Sequence, residues 1–194
     1  MNLYFLKFLY ILIILLPLTS MADTPTWQIV PSKSSLTFTA TQNGAPVTGQ
    51  FESFTGDIHF DPNQLSANNI KIVIDMNSIT DSYNQLSDTL KTPAWFNTKL
   101  FPLAIFKSNE FKKIGDKTYQ SKGMLTIRDK TLPVILTFTQ EDYTQNEAMI
   151  KGSTIIKRTA FGVGQGEWAD TTIIKDDVQI NFTIKAIRKN VSNP

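Results

Sequence analysis

GMLTIRDKTLPVILTF, residues 123–138, is the stretch whose reading decides the fold. Two extended runs flank the charged triplet Arg128-Asp129-Lys130. Leu125 and Ile127 share one face of the first run. Leu132, Val134, Leu136 and Phe138 share one face of the second. Successive strand side chains point to opposite faces, so this spacing makes one apolar side and one mixed side. The charged triplet reads as a tight turn that belongs in water. The same two-residue rhythm recurs along most of the chain and predicts a curved antiparallel sheet around an apolar interior. No catalytic group stands out with comparable force.

Working outward, the 194 residues suffice for one domain with a sizeable core. Hydrophobic residues make up 41% and charged residues 19%, an ordinary globular balance. The net charge is +2 and the basic residues are scattered, which argues against a nucleic-acid partner. Cysteine is absent, which excludes disulfides, thiol nucleophiles, a lipobox and thiolate metal sites. A single histidine, His59, rules out a His-rich metal centre. Residues 1–16, MNLYFLKFLYILIILL, carry Lys7 as their only charge, and Pro17 and then Ser20-Met21-Ala22 follow. A lightly basic start, a short apolar core and a small-x-small end mark a cleavable signal peptide over residues 1–22. The alternative, an uncleaved anchor, is disfavoured because residues 8–16 fall short of the roughly 20 needed to span a bilayer. The expected organisation is therefore a signal peptide, a β-barrel domain over residues 23–190 and a tail over 191–194.

Along the mature chain, residues 35–40 (SLTFTA) alternate strictly, with Leu36, Phe38 and Ala40 on one face. Gln42 to Pro46 is turn chemistry. Residues 54–60 put Ile58 and Phe60 on one side and Asp57 and His59 on the other, and residues 70–76 align Ile70, Ile72, Ile74 and Met76. The rhythm then changes. Residues 81–90 (DSYNQLSDTL) place Tyr83, Leu86 and Leu90 at helical spacing, and Pro93 limits that helix. Trp95, Phe96, Leu100 and Phe101 follow in a loop that suits either a lid over a barrel end or a packed connection. Residues 177–188 resume alternation, with Val178, Ile180, Phe182, Ile184 and Ala186 on one face. About eight to ten regularly spaced strands with one helical insertion indicate an all-β domain, either a closed barrel or a two-sheet sandwich. A barrel removes exposed edges, and eight strands enclose room for a slender ligand.

Few residues offer chemistry. Gly162, Gly164 and Gly166 lack the lysine and helix of a phosphate loop and read as a flexible rim. His59 sits on a polar strand face, where a solvated role is favoured. Asp57, His59 and Asp61 share parity and form a weak metal candidate. The 13 Phe, 5 Tyr and 3 Trp are more telling, since several Phe fall on inward faces of separate strands. They fit a packed core or an apolar ligand tunnel.

The order of motifs resembles the YceI-like family of exported bacterial proteins. The pieces are Trp27-Gln28-Ile29-Val30-Pro31 with Ser34-Ser35-Leu36-Thr37-Phe38, then the run VTGQFESFTGDI over residues 47–58. Ile74-Asp75-Met76-Asn77-Ser78-Ile79, Trp95-Phe96 and the run FPLAIFKS over residues 101–108 come next. Gly123-Met124-Leu125-Thr126-Ile127-Arg128 with Pro133-Val134, Arg158-Thr159-Ala160-Phe161-Gly162-Val163 and Asp177-Val178 complete the series. The resemblance implies an extended antiparallel eight-stranded lipocalin-like barrel with a short helical insertion. It implies a periplasmic binding or carrier protein for a long amphiphilic lipid, a polyisoprenoid or isoprenoid quinone. It supplies no catalytic residues, metal or cofactor beyond such a bound lipid. Near the helix, family members often show Arg-Asp and His-Leu pairs where this chain reads Ser87-Asp88-Thr89-Leu90, so its ligand end differs.

Strand parity then predicts which residues line the interior: Phe38, Ile58, Phe60, Ile72, Ile74, Leu125, Ile127, Leu136, Phe138, Ile180 and Phe182. Leu86, Leu90, Trp95, Phe96, Phe101 and Phe161 are expected at the mouth. Two other readings stay open: an enzyme, hydrolase or isomerase, acting on a bound amphiphile, and a filled-core stress-response protein. A homodimer and a transient contact with the inner membrane or a membrane protein are also open.

Overall fold

The structure, a computed structural model, describes residues 24–81 and 84–189. The expected signal peptide over residues 1–22 and the expected tail over 191–194 lie outside the described residues, as do Ser82 and Tyr83. Eleven strand segments form one antiparallel sheet: β1 Thr26–Ile29, β2 Ser35–Gln42, β3 Ala45–Phe51, β4 Phe54–His59, β5 Asn69–Asp75, β6 Ile79–Asp81, β7 Leu103–Lys113, β8 Thr118–Ile127, β9 Lys130–Tyr143, β10 Glu147–Lys157 and β11 Asp177–Arg188. One α-helix, α1, covers Asn84–Lys91.

The eleven segments make eight strands. β1 and β2 both pair with β11, β4 and β3 pair in turn with β1 and β2, and β5 and β6 pair with β4 and β3. Each of these three couples is one strand with a short break. The pairing of Trp27 with Arg188 and Ile29 with Ala186 closes the ring. The result is a closed eight-stranded antiparallel barrel with one short helix, the alternative that the resemblance implied over a two-sheet sandwich.

The breaks lie side by side and are stitched by small polar side chains. Ser34 Oγ donates to Val30 O (2.9 Å) and accepts from Lys185 N (3.0 Å). Ser78 Oγ donates to Asp75 O (2.6 Å) and accepts from Ser53 N (3.0 Å). These bonds satisfy backbone groups that leave the ladder, which would otherwise be costly to bury.

Inward glycines let aromatic rings lie flat across the wall. A Cβ on Gly123 would sit 2.4 Å from Lys107 O and 2.5 Å from the Phe106 ring. One on Gly152 would meet the Phe182 ring at 2.4 Å and Thr137 O at 2.6 Å.

β6 pairs with β3 alone, because β7 begins only at Leu103, opposite Asp75. Helix α1 and the loop 92–102 occupy the space beside β6. Two corrections follow for this end. Arg128 is half-buried rather than solvated, and the glycine-rich segment is tied down rather than free.

Candidate functional site

The barrel interior is hollow. One cavity of about 180 Å³ is lined almost wholly by apolar atoms. A second, of about 510 Å³, lies toward α1. Leu36, Ile74, Leu125 and Ile180 line both, so the two adjoin along the barrel. The second volume falls in the range of small-molecule sites, and the first is smaller. Ile72, Ile74, Leu136, Ile180 and Phe182 line these spaces from inward faces yet remain half-buried, because they face space rather than packed atoms.

The first cavity is closed at its far end by rings. Phe60 packs edge-on against Phe111 (5.6 Å), Tyr119 (5.9 Å) and Phe138 (6.0 Å). Tyr119 stacks on Phe138 at 5.5 Å. Trp27 lies 5.4 Å from Tyr143, and its indole N–H donates to Phe60 O at 2.8 Å. Burial raises the phenol pKa of Tyr119 and of Tyr143, with a smaller rise from nearby acidic groups. Both stay neutral and serve this wall as apolar bodies.

The second cavity is closed by irregular backbone. Arg158, buried, donates from Nε to Lys175 O (3.2 Å) and from Nη1 to Val163 O (3.1 Å) and Gly164 O (3.0 Å). Its Nη2 donates to Ile174 O (2.8 Å). Its guanidinium carbon stands 5.9 Å from the centre of the Trp95 ring. Burial lowers the Arg158 pKa, and the negative charge of Asp176 partly offsets this. Gly164, with φ of 72°, gives the loop room to close on that side chain: a Cβ there would stand 2.3 Å from Arg158 Nη1. Arg128 ties the other side. Its Nη1 donates to Pro93 O (3.1 Å), Gly162 O (2.8 Å) and Trp95 O. Gln165 N donates to Ala94 O at 2.8 Å and joins the glycine segment to the aromatic loop.

All eleven residues expected inside line one cavity or both. Leu86, Leu90, Trp95, Phe96 and Phe161 line the second cavity. Phe101 is the exception. It borders neither cavity and instead lies 5.6 Å beneath the Arg128 guanidinium, because the tight turn before it (Phe101 N to Asn97 O, 2.9 Å) carries the chain away from the mouth. Sequence reasoning missed Arg158, whose role depends on carbonyls from a distant loop. It also passed over Phe54 and Phe106, which strand parity alone would have found, and Phe111, whose parity is reversed by the bulge between Lys107 and Glu110.

The weak metal candidate dissolves. His59 Nδ1 lies 3.2 Å from Thr26 Oγ1 and Nε2 lies 3.3 Å from Asp57 Oδ1, on the outward face of β4. Asp61 falls beyond the strand end, where its carboxylate accepts from Asn63 N (2.8 Å). No cluster of three metal-ligating side chains occurs among the described residues.

Comparison with known proteins places this architecture. BcnA from Burkholderia cenocepacia is similar at 31% identity and a TM-score of 0.77, over 81% of this chain and 98% of that one. A polyisoprenoid binding domain from Saccharophagus degradans shares the fold at 13% identity and a TM-score of 0.69, over 85% of this chain and 99% of that one. A UPF0312 protein of Yersinia pestis is 35% identical over 88 residues, which is 45% of each chain. The chain thus covers less than half the length of that curated relative. The YceI-like domain matches residues 27–186, and the chain belongs to the YceI-like domain family.

Proposed function

We propose that this chain is a lipid-binding protein that holds one long amphiphile without turnover, its tail in the apolar cavity and its head near Arg158. The observation that carries this is the hollow interior of two adjoining cavities: the first exposes almost only apolar atoms, although Ser121, Gln140 and Thr154 stand in its wall, and Gln42, Thr89 and Arg158 join the lining at the α1 end. Shielding a hydrocarbon chain from water is worth about 0.8 kcal/mol per CH₂, so an enclosed apolar barrel suits a ligand of many carbons. The family and the polyisoprenoid binding domain of the Saccharophagus neighbour support an isoprenoid lipid, with isoprenoid quinones a natural choice. The signal-like start supports a periplasmic carrier that collects its lipid by transient contact with the inner membrane. The enzyme reading loses its base, since His59 sits on the outside of the wall. Native mass spectrometry of the mature protein, followed by organic extraction, tests the proposal. One isoprenoid or acyl lipid per chain is the expected result. An empty protein that also takes up no added ubiquinone would overturn it.

A further inference from the structure

The barrel wall carries an opening that the cap does not control. The β9–β10 ladder runs from the pairing of Tyr143 with Ala148 to that of Thr137 with Ser153 and stops there. Both strands continue, β9 back to Lys130 and β10 on to Lys157. Over this length β9 keeps its ladder to β8, and β10 keeps its ladder to β11. Their facing edges are therefore unpaired. A groove of about 700 Å³ lies along this seam. Its outer rim carries Ile135, 52% exposed, Ile155, 61% exposed, and Pro133, with Lys122, Lys157 and Gln179 also along the groove.

The floor of the groove separates it from the interior by one layer of side chains. Val134 and Thr154 line both the groove and the first cavity. Ile156 and Phe161 line both the groove and the second. The seam is closed below by the bond from Arg128 Nη1 to Gly162 O.

We infer that this seam is a lateral passage for the hydrocarbon tail of the bound lipid, which enters between β9 and β10 rather than through the cap. Unpaired strand edges also invite an added strand. Here, however, Pro133 lacks a donor and the floor is shared with the cavities, which favours a tail over a peptide. The inference rests on the lipid-binding reading. Sideways entry lets the tail pass into the apolar interior first, while the head stays in water until it follows toward Arg158 at the α1 end.

The absence of cysteine makes the test clean. The double variant Ile135→Cys/Ile155→Cys is bridged with a short bis-maleimide. As a control, Lys71→Cys/Lys107→Cys is bridged across the intact β5–β7 ladder, where these residues pair. Uptake of ubiquinone from phosphatidylcholine vesicles is followed by flotation and absorbance. Loading of the wild type tests lipid binding itself, and the ratio of locked to unlocked rates tests the passage. The seam lock should slow uptake by about tenfold or more while the control lock leaves it unchanged. Thr154→Ala, which thins the floor, should speed it. Equal rates in both locked proteins would overturn the passage and direct the lipid to the cap. A seam that instead captures an extended peptide in the unlocked protein, with lipid uptake unaffected by the lock, would overturn it in favour of strand addition.

Discussion

The two ends of the barrel close the same cavity by opposite means. At the Phe60 end the ladder persists and rings from five strands meet in a dry cluster. At the α1 end the ladder gives out, and three irregular segments converge on two arginines. Rings need only apolar neighbours, so strand parity suffices to build the first closure. Loop carbonyls need donors, and a guanidinium supplies up to five in a fixed fork. Arg158 and Arg128 between them serve the carbonyls of Pro93, Trp95, Gly162, Val163, Gly164, Ile174 and Lys175. An apolar closure fails gradually when trimmed, whereas a polar one fails through unsatisfied groups.

That contrast can be broken or sharpened by mutation. The largest effect is expected from Arg158→Met, which keeps bulk but strands four carbonyls, three of them buried. At 1 kcal/mol or more for each, the loss is about 4 kcal/mol, read as a fall in the urea midpoint. A loss below about 1 kcal/mol would show that the loop does not depend on the arginine. Phe138→Ala should cost about 3 kcal/mol, at the low end for a buried Phe because its ring borders empty space. It should leave the cap intact, so the two substitutions should add when combined. A smaller and pH-dependent effect belongs to the pair of exposed Glu147 on β10 and largely buried Lys185 on β11. The hydrogen bond from Lys185, and then its charge, lower the Glu147 pKa below the usual carboxylate value. A carboxylate with a depressed folded pKa contributes stability above its unfolded pKa of about 4.3, lost as pH falls through the lower folded value. Glu147→Gln should therefore lower stability slightly at neutral pH, leave it unchanged well below the folded pKa, and so flatten the acid limb between them. An unaltered acid limb would remove the pair from the stability account.

Parity made most of the closed end legible in advance. Ile58, Phe60, Phe138 and Phe182 sit on inward faces because strand geometry leaves them no other choice once one face of each strand is apolar. The cap was legible only in outline. Helical spacing of Leu86 and Leu90 and the run of aromatics announced a helix and an apolar loop, and both line the second cavity. Phe101 was misplaced because a tight turn, not a period, sets its direction. Arg128 reads as a turn residue destined for water. Only the approach of the 93–96 and 162 backbones gives it carbonyls to hold.

Local alternation and turn chemistry thus determined that the chain is an antiparallel all-β domain and which side chains share its apolar face, since both depend on neighbours in sequence. Tertiary structure decided what surrounds those side chains. Whether the interior is filled or hollow depends on how far apart the walls stand. That distance follows from closing the ring, and from glycines at which rings cross the wall. The unpaired β9–β10 seam and the guanidinium-bound cap likewise arise between segments remote in the chain. No window of the sequence contains either.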